Sequence, residues 1–262
     1  MSIQAPPPAR PGIDAWARLT LTEGKIVARD TAGMVIPIVM PLLIMVMAGL
    51  GVTEEDRALT ASQYNGMSVL EGYVVPMTLA MVVALVGVVN MPSFLATYRR
   101  YGILRRLSAT PAHPMMVLVA QVLVSVAQTI VGVGLAVGVA VLAFDLELPG
   151  DVPMTLAVLA LTALAMYGLG VLVAAVSPTP NASLAIGLIG FFAMMALGGG
   201  FGSRDALPDR LADIGGYLPF GAGMDVIGAV WVGESPDGWQ LLVLAVAAVV
   251  GVAVGVRFFR WQ

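Results

Sequence analysis

The sequence predicts an all-α integral membrane protein with six transmembrane helices. An N-terminal amphipathic interfacial helix precedes the spans, and a short re-entrant or interfacial hairpin precedes the last one. Of its 262 residues, 59% are hydrophobic and 11% charged, with a mean hydropathy of +0.93, whereas soluble domains are about 25% charged. Long windows carry no charge, and short stretches between them hold nearly every Asp, Glu, Lys and Arg. This pattern excludes a soluble globular domain and a disordered chain.

The N-terminal region divides into a Pro-rich segment, 1–11, expected to be disordered, and an amphipathic connecting helix over 12–30. A helical projection of this helix collects Asp14, Arg18, Thr22, Lys25 and Arg29 on one face and Ile13, Trp16, Leu19, Ile26 and Val27 opposite. Glu23 falls on the apolar side, as a mild defect or as the partner of another subunit's cation. We assign Trp16, Arg18, Glu23, Lys25 and Arg29 to an interfacial helix, whose simplest role is a basic membrane anchor.

The membrane domain, 31–262, contains six charge-free windows. A helix needs roughly 20 apolar residues to cross a bilayer core. The windows that meet this requirement are 31–52, 72–98, 114–144, 152–177, 181–203 and 238–256. The first is too long for the core of a secretory signal, so it is interpreted as a retained span.

A seventh window, 211–233, is rejected as a full span. It contains Asp213, Asp225, Pro219 and six glycines, and each central aspartate would cost about 2.5–3.5 kcal/mol on insertion scales. An irregular, Gly-rich backbone is satisfied when it packs against protein. The window is therefore predicted to form a short re-entrant or interfacial helical hairpin.

The basic residues set the orientation. Of the 13 Lys and Arg residues, ten fall on the side that holds both termini and three on the other. The positive-inside rule then places both termini in the cytoplasm of a multi-pass protein of the cytoplasmic membrane. On the same topology, 13 of the 16 acidic residues lie on the outer face.

Several kinds of chemistry are excluded by residues that the chain lacks. It has no cysteine and a single histidine, His113, so we expect no metal site and no thiolate nucleophile. The single lysine, Lys25, does not stand in a phosphate-binding P-loop, so any ATP is bound by another polypeptide. The spans contain no charged side chain, which disfavours an ion-coupled carrier and an intramembrane hydrolase. No catalytic or cofactor-binding residue is predicted.

The most informative segment runs from Tyr98 to Pro111, between the second and third windows. It holds four arginines, Gly102 and a terminal Thr110-Pro111. As a helix it would free Leu104 and Leu107 to dock in an apolar cleft of a partner. The alternative is a positively charged retention loop that contacts anionic lipid.

These features resemble the type 2 exporter permeases of the ATP-binding-cassette (ABC) transporters, over nearly the whole chain. The resemblance rests on the amphipathic start, Arg29-Asp30 before a span with Pro41, the Tyr98–Pro111 segment, and Leu207-Pro208 with Tyr217-Leu218-Pro219 in the last outer loop. In that family the segment after span two couples the permease to its ATPase. Its pattern is matched by Gly102, Leu104, Leu107, Thr110 and Pro111, whereas Tyr98 and Arg100 replace two glutamates.

The resemblance implies a transport subunit, not an enzyme, driven by a separate ATP-binding subunit that uses ATP and Mg²⁺. The implied ATPase-coupling residues are Arg99, Arg100, Tyr101, Gly102, Leu104, Arg105, Arg106 and Leu107. The implied partners are an ABC ATPase, a second copy or a homologous permease, and membrane lipids, with no nucleic acid. The implied function is efflux of a hydrophobic or amphipathic substrate, such as a drug, antibiotic, lipid or glycan. A membrane scaffold and a secondary multidrug carrier remain the alternatives.

The pathway is less marked in the sequence. Pliable methionines and aromatic residues give the candidate pathway residues Met40, Met47, Asn90, Phe191 and Met195, although lipid-facing residues look the same. A polar stripe on the third window joins helices or contacts substrate; it consists of Gln121, Ser125, Gln128 and Gly132. Two pairs of small residues favour close helix packing, Gly134 with Gly138 and Gly251 with Gly255.

Overall fold

The computed structural model describes residues 12–53, 64, 66–103, 115–202 and 204–258, and all regular secondary structure in these ranges is helical. The helices are α1 (Ile13–Arg29), α2 (Thr31–Gly51), α3 (Leu70–Arg100), α4 (Met115–Phe144), α5 (Val152–Val176), α6 (Pro180–Leu197), α7 (Asp209–Tyr217), α8 (Pro219–Trp231) and α9 (Gly238–Phe258). A short 3-10 turn, Arg204–Ala206, precedes α7.

Five of these helices, α2 to α6, are long and apolar enough to cross a membrane. The all-helical prediction is therefore confirmed, with five candidate spans among the described residues. Helix α9 contributes a shorter apolar stretch, Gly238–Val254, so the sixth span stays a prediction.

Helix α3 is the centre of the bundle, because its most apolar window is entirely buried. It contacts α2, α4, α5, α6 and α8. Two stretches of it, Leu70–Val74 and Leu85–Asn90, are π-helical. Each is followed two residues later by a proline, Pro76 or Pro92, whose missing N–H interrupts the helical hydrogen-bond ladder.

Two glycines allow neighbouring helices to rest on the interrupted part of α3. A Cβ added to Gly170 of α5 would lie 1.9 Å from the carbonyl oxygen of Gly87, and one added to Gly187 of α6 would lie 2.5 Å from that of Val88. Real Cβ atoms do not approach a carbonyl oxygen this closely. Helices α5 and α6 therefore sit against α3 backbone to backbone.

Helix boundaries follow from side-chain caps. Asp30 ends α1 and begins α2, and its carboxylate accepts a hydrogen bond of 2.9 Å from the Gly33 N–H. Before α3, Glu71 Oε2 accepts two hydrogen bonds from Ser68, one from its N–H at 2.8 Å and one from its hydroxyl at 2.9 Å. Glu71 Oε1 also accepts a hydrogen bond from the Glu147 N–H at 3.0 Å, which ties the α4–α5 connection to the start of α3.

The helix ends lie at two ends of the bundle. At one, called here the α1 end, the start of α2, the end of α3 and the start of α6 come together, since Asp30, Thr97 and Pro180 line the same groove. At the other, called the far end, the Tyr73 hydroxyl donates a hydrogen bond of 2.5 Å to the Gly199 carbonyl oxygen. The Glu71–Glu147 contact lies at the far end as well, since Glu71 and Tyr73 share the first turn of α3.

The fifth window ends earlier than predicted. Helix α6 stops at Leu197, and the described residues 198–202 that follow form a turn. Gly199 has a positive φ of 90°, a conformation that glycine adopts without strain and that terminates a right-handed helix. The sequence Gly198-Gly199-Gly200 is thus a turn at the far end of the bundle.

The rejected seventh window contains two helices, α7 and α8, joined at Leu218 in extended conformation and called here the hairpin. A re-entrant or interfacial position for it stays a prediction. Helix α8 is largely buried, and α3, α5 and α9 pack around it. A Cβ on Gly215 would lie 1.8 Å from the Leu197 carbonyl oxygen, and one on Gly221 would lie 2.2 Å from that of Gly215. These close backbone contacts pack the hairpin against the end of α6.

The predicted pairs of small residues behave differently from each other. Gly251 lies against the backbone of Gly168, since a Cβ there would be 2.5 Å from the Gly168 carbonyl carbon. A Cβ on Gly134 or Gly138 would meet no described atom within 4 Å. Close packing is therefore found for Gly251 and is absent at Gly134 and Gly138 among the described residues.

Candidate functional site

A groove of about 280 Å³ opens between the first half of α2, the second half of α3 and the start of α6. Its lining is mostly apolar; the apolar side chains include Ile36, Pro37, Leu85, Val89, Phe94, Leu184 and Leu188. A few polar side chains interrupt this surface, namely Asp30, Asn90, Ser93, Thr97 and Asn181. The groove thus suits an apolar group with a few hydrogen-bonding atoms.

On one side of the groove, the carbonyl oxygen of Gly33 joins α2 to two neighbouring helices by hydrogen bonds. Pro37 has no N–H to donate to this oxygen in the helical ladder. Two amides from other helices donate instead, Asn90 Nδ2 at 3.0 Å and Gln128 Nε2 at 2.6 Å, and Asn90 Nδ2 also lies 2.9 Å from Gln128 Oε1. This cluster, called the Gly33 cluster, joins α2, α3 and α4.

The structure places the candidate pathway residues in different surroundings. Asn90 lines the groove, and its amide belongs to the Gly33 cluster. Met40 is half-buried and Met47 is exposed near the far end of α2. Phe191 and Met195 are buried in the main apolar core, where Phe191 meets Phe220 edge to face at 6.2 Å. Among these five, only Asn90 belongs to the described lining of this groove.

The polar stripe of α4 is buried between helices. Gln121, Ser125 and Gln128 are at most 5% exposed, and a Cβ on Gly132 would lie 2.6 Å from a methyl group of Val82. Gln128 donates to α2. In the described part of the structure, the stripe therefore serves helix packing.

Two groove residues, Ser93 and Thr97, were missed by the sequence analysis. Both hydroxyls donate at 2.8 Å to the carbonyl oxygen four residues earlier in α3, which leaves their lone pairs as acceptors. Asn90, Ser93 and Thr97 are spaced by three and four residues, so they share one helix face. That spacing is the signal that could have found them.

The turn that ends α3 forms a basic surface at the α1 end. Arg99 is half-buried, Arg100 and Tyr101 are exposed, and Gly102 takes a positive φ of 65° as its N–H bonds the Arg99 carbonyl oxygen at 3.0 Å. A glycine in this conformation caps a helix C-terminus. The predicted coupling residues Leu104, Arg105, Arg106 and Leu107 lie outside the described residues, as do Thr110, Pro111 and His113.

Helix α1 extends this surface. The predicted polar face is exposed, with Asp14, Arg18, Thr22, Lys25 and Arg29 all outward. Trp16 is half-buried, whereas Ile13 and Ile26, predicted on the apolar face, are exposed. The inward face is formed by Leu19, Glu23 and Val27.

Glu23 has a partner within the chain. Its Oε2 accepts a hydrogen bond from the Tyr98 hydroxyl in the last turns of α3. Burial raises the pKa of the Glu23 carboxyl above its ordinary value, and the hydrogen bond from Tyr98 opposes that rise. The odd position of Glu23 on the apolar face is thus explained by Tyr98.

The far end holds a polar cavity of about 370 Å³ between the start of α3, the turn after α6 and helix α8. Within it, Asp225 Oδ2 lies 2.5 Å from Arg204 Nη2 and accepts a hydrogen bond of 2.6 Å from Gln240 Nε2. The contact ties the 3-10 turn, α8 and α9 together. Across the described ranges, no three His, Cys, Asp or Glu side chains gather as a metal site would need.

Comparison with protein families gives a match over most of the chain. The family model described as ABC-2 type transporter matches residues 16–230. The matched region begins in α1, ends in α8 and includes the groove and the basic turn. A search among curated proteins gives no match.

Proposed function

Since the chain belongs to the ABC-2 type transporter family, and is thus a membrane permease, we propose that it is the transmembrane subunit of an ATP-driven exporter, energised by a separate ATPase. One observation carries the proposal. The apolar groove and the exposed basic surface of α1 and the Arg99–Gly102 turn lie at the same end of the bundle. A partner subunit that binds this basic surface would therefore lie next to the groove.

The orientation follows from charge. Basic residues gather at the α1 end, including Arg18, Lys25, Arg29 and Arg100. The far end carries acidic residues on the connections and the hairpin, including Glu147, Asp151, Asp209 and Asp213. By the positive-inside rule the α1 end is cytoplasmic. With α9 as the sixth span, both termini lie in the cytoplasm.

The groove supports a hydrophobic or amphipathic cargo. Apolar side chains form most of its wall, and the polar groups of Ser93, Thr97 and Asn181 are uncharged. A groove of this character binds apolar groups and hydrogen-bonding atoms. Among its described lining residues, the exposed Asp30 is the one charged side chain that a small ion would meet. Drugs, antibiotics, lipids and glycan carriers all fit this description.

Helices α2 and α6 both line the groove. Both helices expose apolar side chains beside it, Ile36 on α2 and Leu184 on α6 among them. A second permease, identical or homologous, would close the groove into a conduit at the dimer axis. The ATPase subunits would bind ATP and Mg²⁺ below each permease.

Co-purification tests the energy source. The intact chain is purified from native membranes in mild detergent beside two single variants, Arg100→Glu and Arg210→Glu, which reverse exposed charges at opposite ends. We expect an ATPase subunit with the intact chain and with Arg210→Glu, and its loss with Arg100→Glu. A membrane scaffold predicts the same partners for both variants, and a secondary carrier predicts no ATPase with any of the three.

A further inference from the structure

The lining of the groove changes from polar to apolar along its length. Helix α2 begins and α3 ends at the α1 end, so Asp30 and Thr97 lie at that end of the groove, called here its mouth, together with Asn181 at the start of α6. Further from the mouth, the wall includes Leu85 and Leu188. An amphipathic ligand would therefore place its polar group at the mouth and its apolar part against these leucines.

The polar side chains of α3 offer hydrogen-bond acceptors to the groove. Both hydrogens of the Asn90 amide are donated, one to the Gly33 carbonyl oxygen at 3.0 Å and one to Gln128 Oε1 at 2.9 Å, so its Oδ1 remains. The reversed amide would set that oxygen against the Gly33 carbonyl oxygen. The Ser93 and Thr97 hydroxyls each donate their single hydrogen to a carbonyl oxygen of α3 at 2.8 Å. A ligand would thus meet oxygen lone pairs on this face of α3.

The mouth carries a negative charge. Asp30 is the one charged side chain in the described lining of the groove. Its Oδ1 accepts a hydrogen bond of 2.9 Å from the Gly33 N–H, which leaves Oδ2 as a further acceptor. Arg29 precedes Asp30 in the chain and is exposed, but it does not belong to that lining. A cationic group at the mouth would meet the Asp30 carboxylate, which would repel an anionic group.

The helix starts at the mouth offer an anion little compensation. The first N–H groups of a helix attract anions, but at α2 the carboxylate of Asp30 already takes that place. At α6, Pro180 has no N–H, and Thr179 Oγ1 accepts the Ala182 N–H at 3.2 Å. Among the described lining side chains, the exposed amide of Asn181 is the donor that remains.

We propose that the groove binds amphipathic cations in preference to anions, with a protonated amine at Asp30 and Thr97 and an apolar body along Leu85 and Leu188. A primary or secondary ammonium supplies both the charge that Asp30 complements and the N–H donors that the oxygens of α3 accept. A carboxylate or a phosphate supplies neither. That the bound cation is the exported cargo rests on the proposed function.

The test uses the full chain, with any ATPase that co-purifies, in nanodiscs of zwitterionic phosphatidylcholine. Four fluorescent probes share a pyrene body and a short alkyl chain and differ in the terminal group. They are pyrenebutylamine, its trimethylammonium derivative, pyrenebutanol and pyrenebutyrate. The Kd of each probe is taken from the saturable change in pyrene fluorescence, after subtraction of the signal from nanodiscs without protein.

The four probes separate charge from hydrogen bonding. We expect pyrenebutylamine to bind most tightly and pyrenebutyrate most weakly. The trimethylammonium probe keeps the charge and has no N–H, whereas pyrenebutanol keeps a donor and has no charge. Both should therefore bind with intermediate Kd values.

Asp30→Asn tests the charge. Asparagine is an equally good helix N-cap, so the start of α2 is retained while the charge is removed. The Kd of pyrenebutylamine should rise about fivefold, the size of an ion pair at a partly exposed site, and that of pyrenebutanol should stay the same. Asp14→Asn is the matched control, because Asp14 is exposed on α1 and lies outside the described lining.

Thr97→Val tests the acceptors. It keeps the shape of the side chain and removes the hydroxyl oxygen, so the Kd of pyrenebutylamine should rise about fivefold, while that of the trimethylammonium probe should not change. Thr162→Val is the matched control. The Thr162 hydroxyl likewise donates to the carbonyl oxygen four residues earlier, that of Val158, at 2.8 Å, but Thr162 lies outside the described lining.

Several results would overturn the inference. They are pyrenebutyrate binding as tightly as pyrenebutylamine, no saturable binding of any probe, an unchanged Kd of pyrenebutylamine in Asp30→Asn, and equal losses in Thr97→Val and Thr162→Val. Uptake of the probes into inverted membrane vesicles, driven by Mg-ATP, separates the inference from the proposed function. Selective binding without ATP-driven uptake contradicts the proposed function alone, and ATP-driven uptake without preference for the amine contradicts the inference alone.

Discussion

The carbonyl oxygen of Val88 in α3 faces Gly187 of α6, at a point where a Cβ would lie only 2.5 Å from it. Pro92, four residues after Val88, has no N–H to occupy that oxygen. The π-helical turn of α3 therefore presents backbone to α6, and glycine is the residue that permits the contact. The start of α6, which forms one wall of the groove, is held in place by this approach.

Gly187→Ala should separate α6 from α3. Overpacking at a fixed contact costs about 1–3 kcal/mol, so we expect earlier unfolding in a denaturant titration of the detergent-solubilised protein. Gly190→Ala is the matched control in the same helix, since its Cβ would meet no described atom within 4 Å. Equal behaviour of the two variants would contradict the close approach.

In the Gly33 cluster, we expect the losses of unfolding free energy from Asn90→Leu and Gln128→Leu to be non-additive. Asn90→Leu and Gln128→Leu each leave the Gly33 carbonyl oxygen one donor, and such inter-helix bonds are worth about 0.6 kcal/mol each in membranes. The double variant leaves the oxygen with none, so its loss should exceed the sum by about 1 kcal/mol. A double-mutant cycle of unfolding free energies measures this excess.

Pro37→Ala should rescue that double variant. Alanine supplies the N–H that proline lacks, so the Gly33 carbonyl oxygen regains a helical partner. We expect Pro37→Ala to recover most of the excess loss in the double variant and to give no such gain where Asn90 and Gln128 are intact. Failure of the rescue would show that the carbonyl oxygen is not the origin of the coupling.

The Arg204–Asp225 contact should hold the far-end hairpin. Arg204→Ala leaves a partly buried Asp225 carboxylate with Gln240 as its remaining partner in the described structure, which we expect to cost about 1–2 kcal/mol. Arg210→Ala, an exposed arginine nearby, should stay within about 0.5 kcal/mol. The rate of protease cleavage within 204–217 measures how often this part of the hairpin opens. Cleavage should be faster in Arg204→Ala than in the parent, and unchanged in Arg210→Ala.

Glu23→Gln should stabilise the folded chain at neutral pH. Burial raises the pKa of Glu23, so the folded state favours the protonated acid, and the carboxylate becomes unfavourable as pH rises through the raised pKa. Glutamine cannot ionise and still accepts from Tyr98. Melting temperatures of variant and parent should therefore converge below pH 4.5, the ordinary pKa of the group, and diverge above it. A constant difference between the two across the pH range would contradict the raised pKa of Glu23.

The helices were predictable because the charge-free windows are long and the caps are local. Asp30, Asp151 and Thr179 each accept a backbone N–H three residues later, at the starts of α2, α5 and α6. The end of α6 was predicted too late, because hydropathy does not register the positive φ of Gly199. The cost of the aspartates in the window 211–233 argued against a full span, and two shorter helices, α7 and α8, occupy it.

The site was less predictable, because it depends on which faces meet. Met47, Phe191 and Met195 have pathway-like chemistry, but periodicity alone cannot tell an exposed face from a buried one. Glu23 was interpreted as a mild defect or as the partner of another subunit's cation, because its donor, Tyr98, lies 75 residues away in the sequence. The Gly33 cluster likewise requires knowing that three helices converge where Pro37 frees a carbonyl oxygen.

Photo-crosslinking in intact cells tests the central claim most directly. Tyr101 and Tyr217 are exposed tyrosines at opposite ends of the bundle, so p-benzoylphenylalanine is placed at each in turn and the crosslinked proteins are identified by mass spectrometry. The account predicts that an ATP-binding subunit is captured at Tyr101 and not at Tyr217. Capture of that subunit at Tyr217, or of lipid alone at Tyr101, would contradict it.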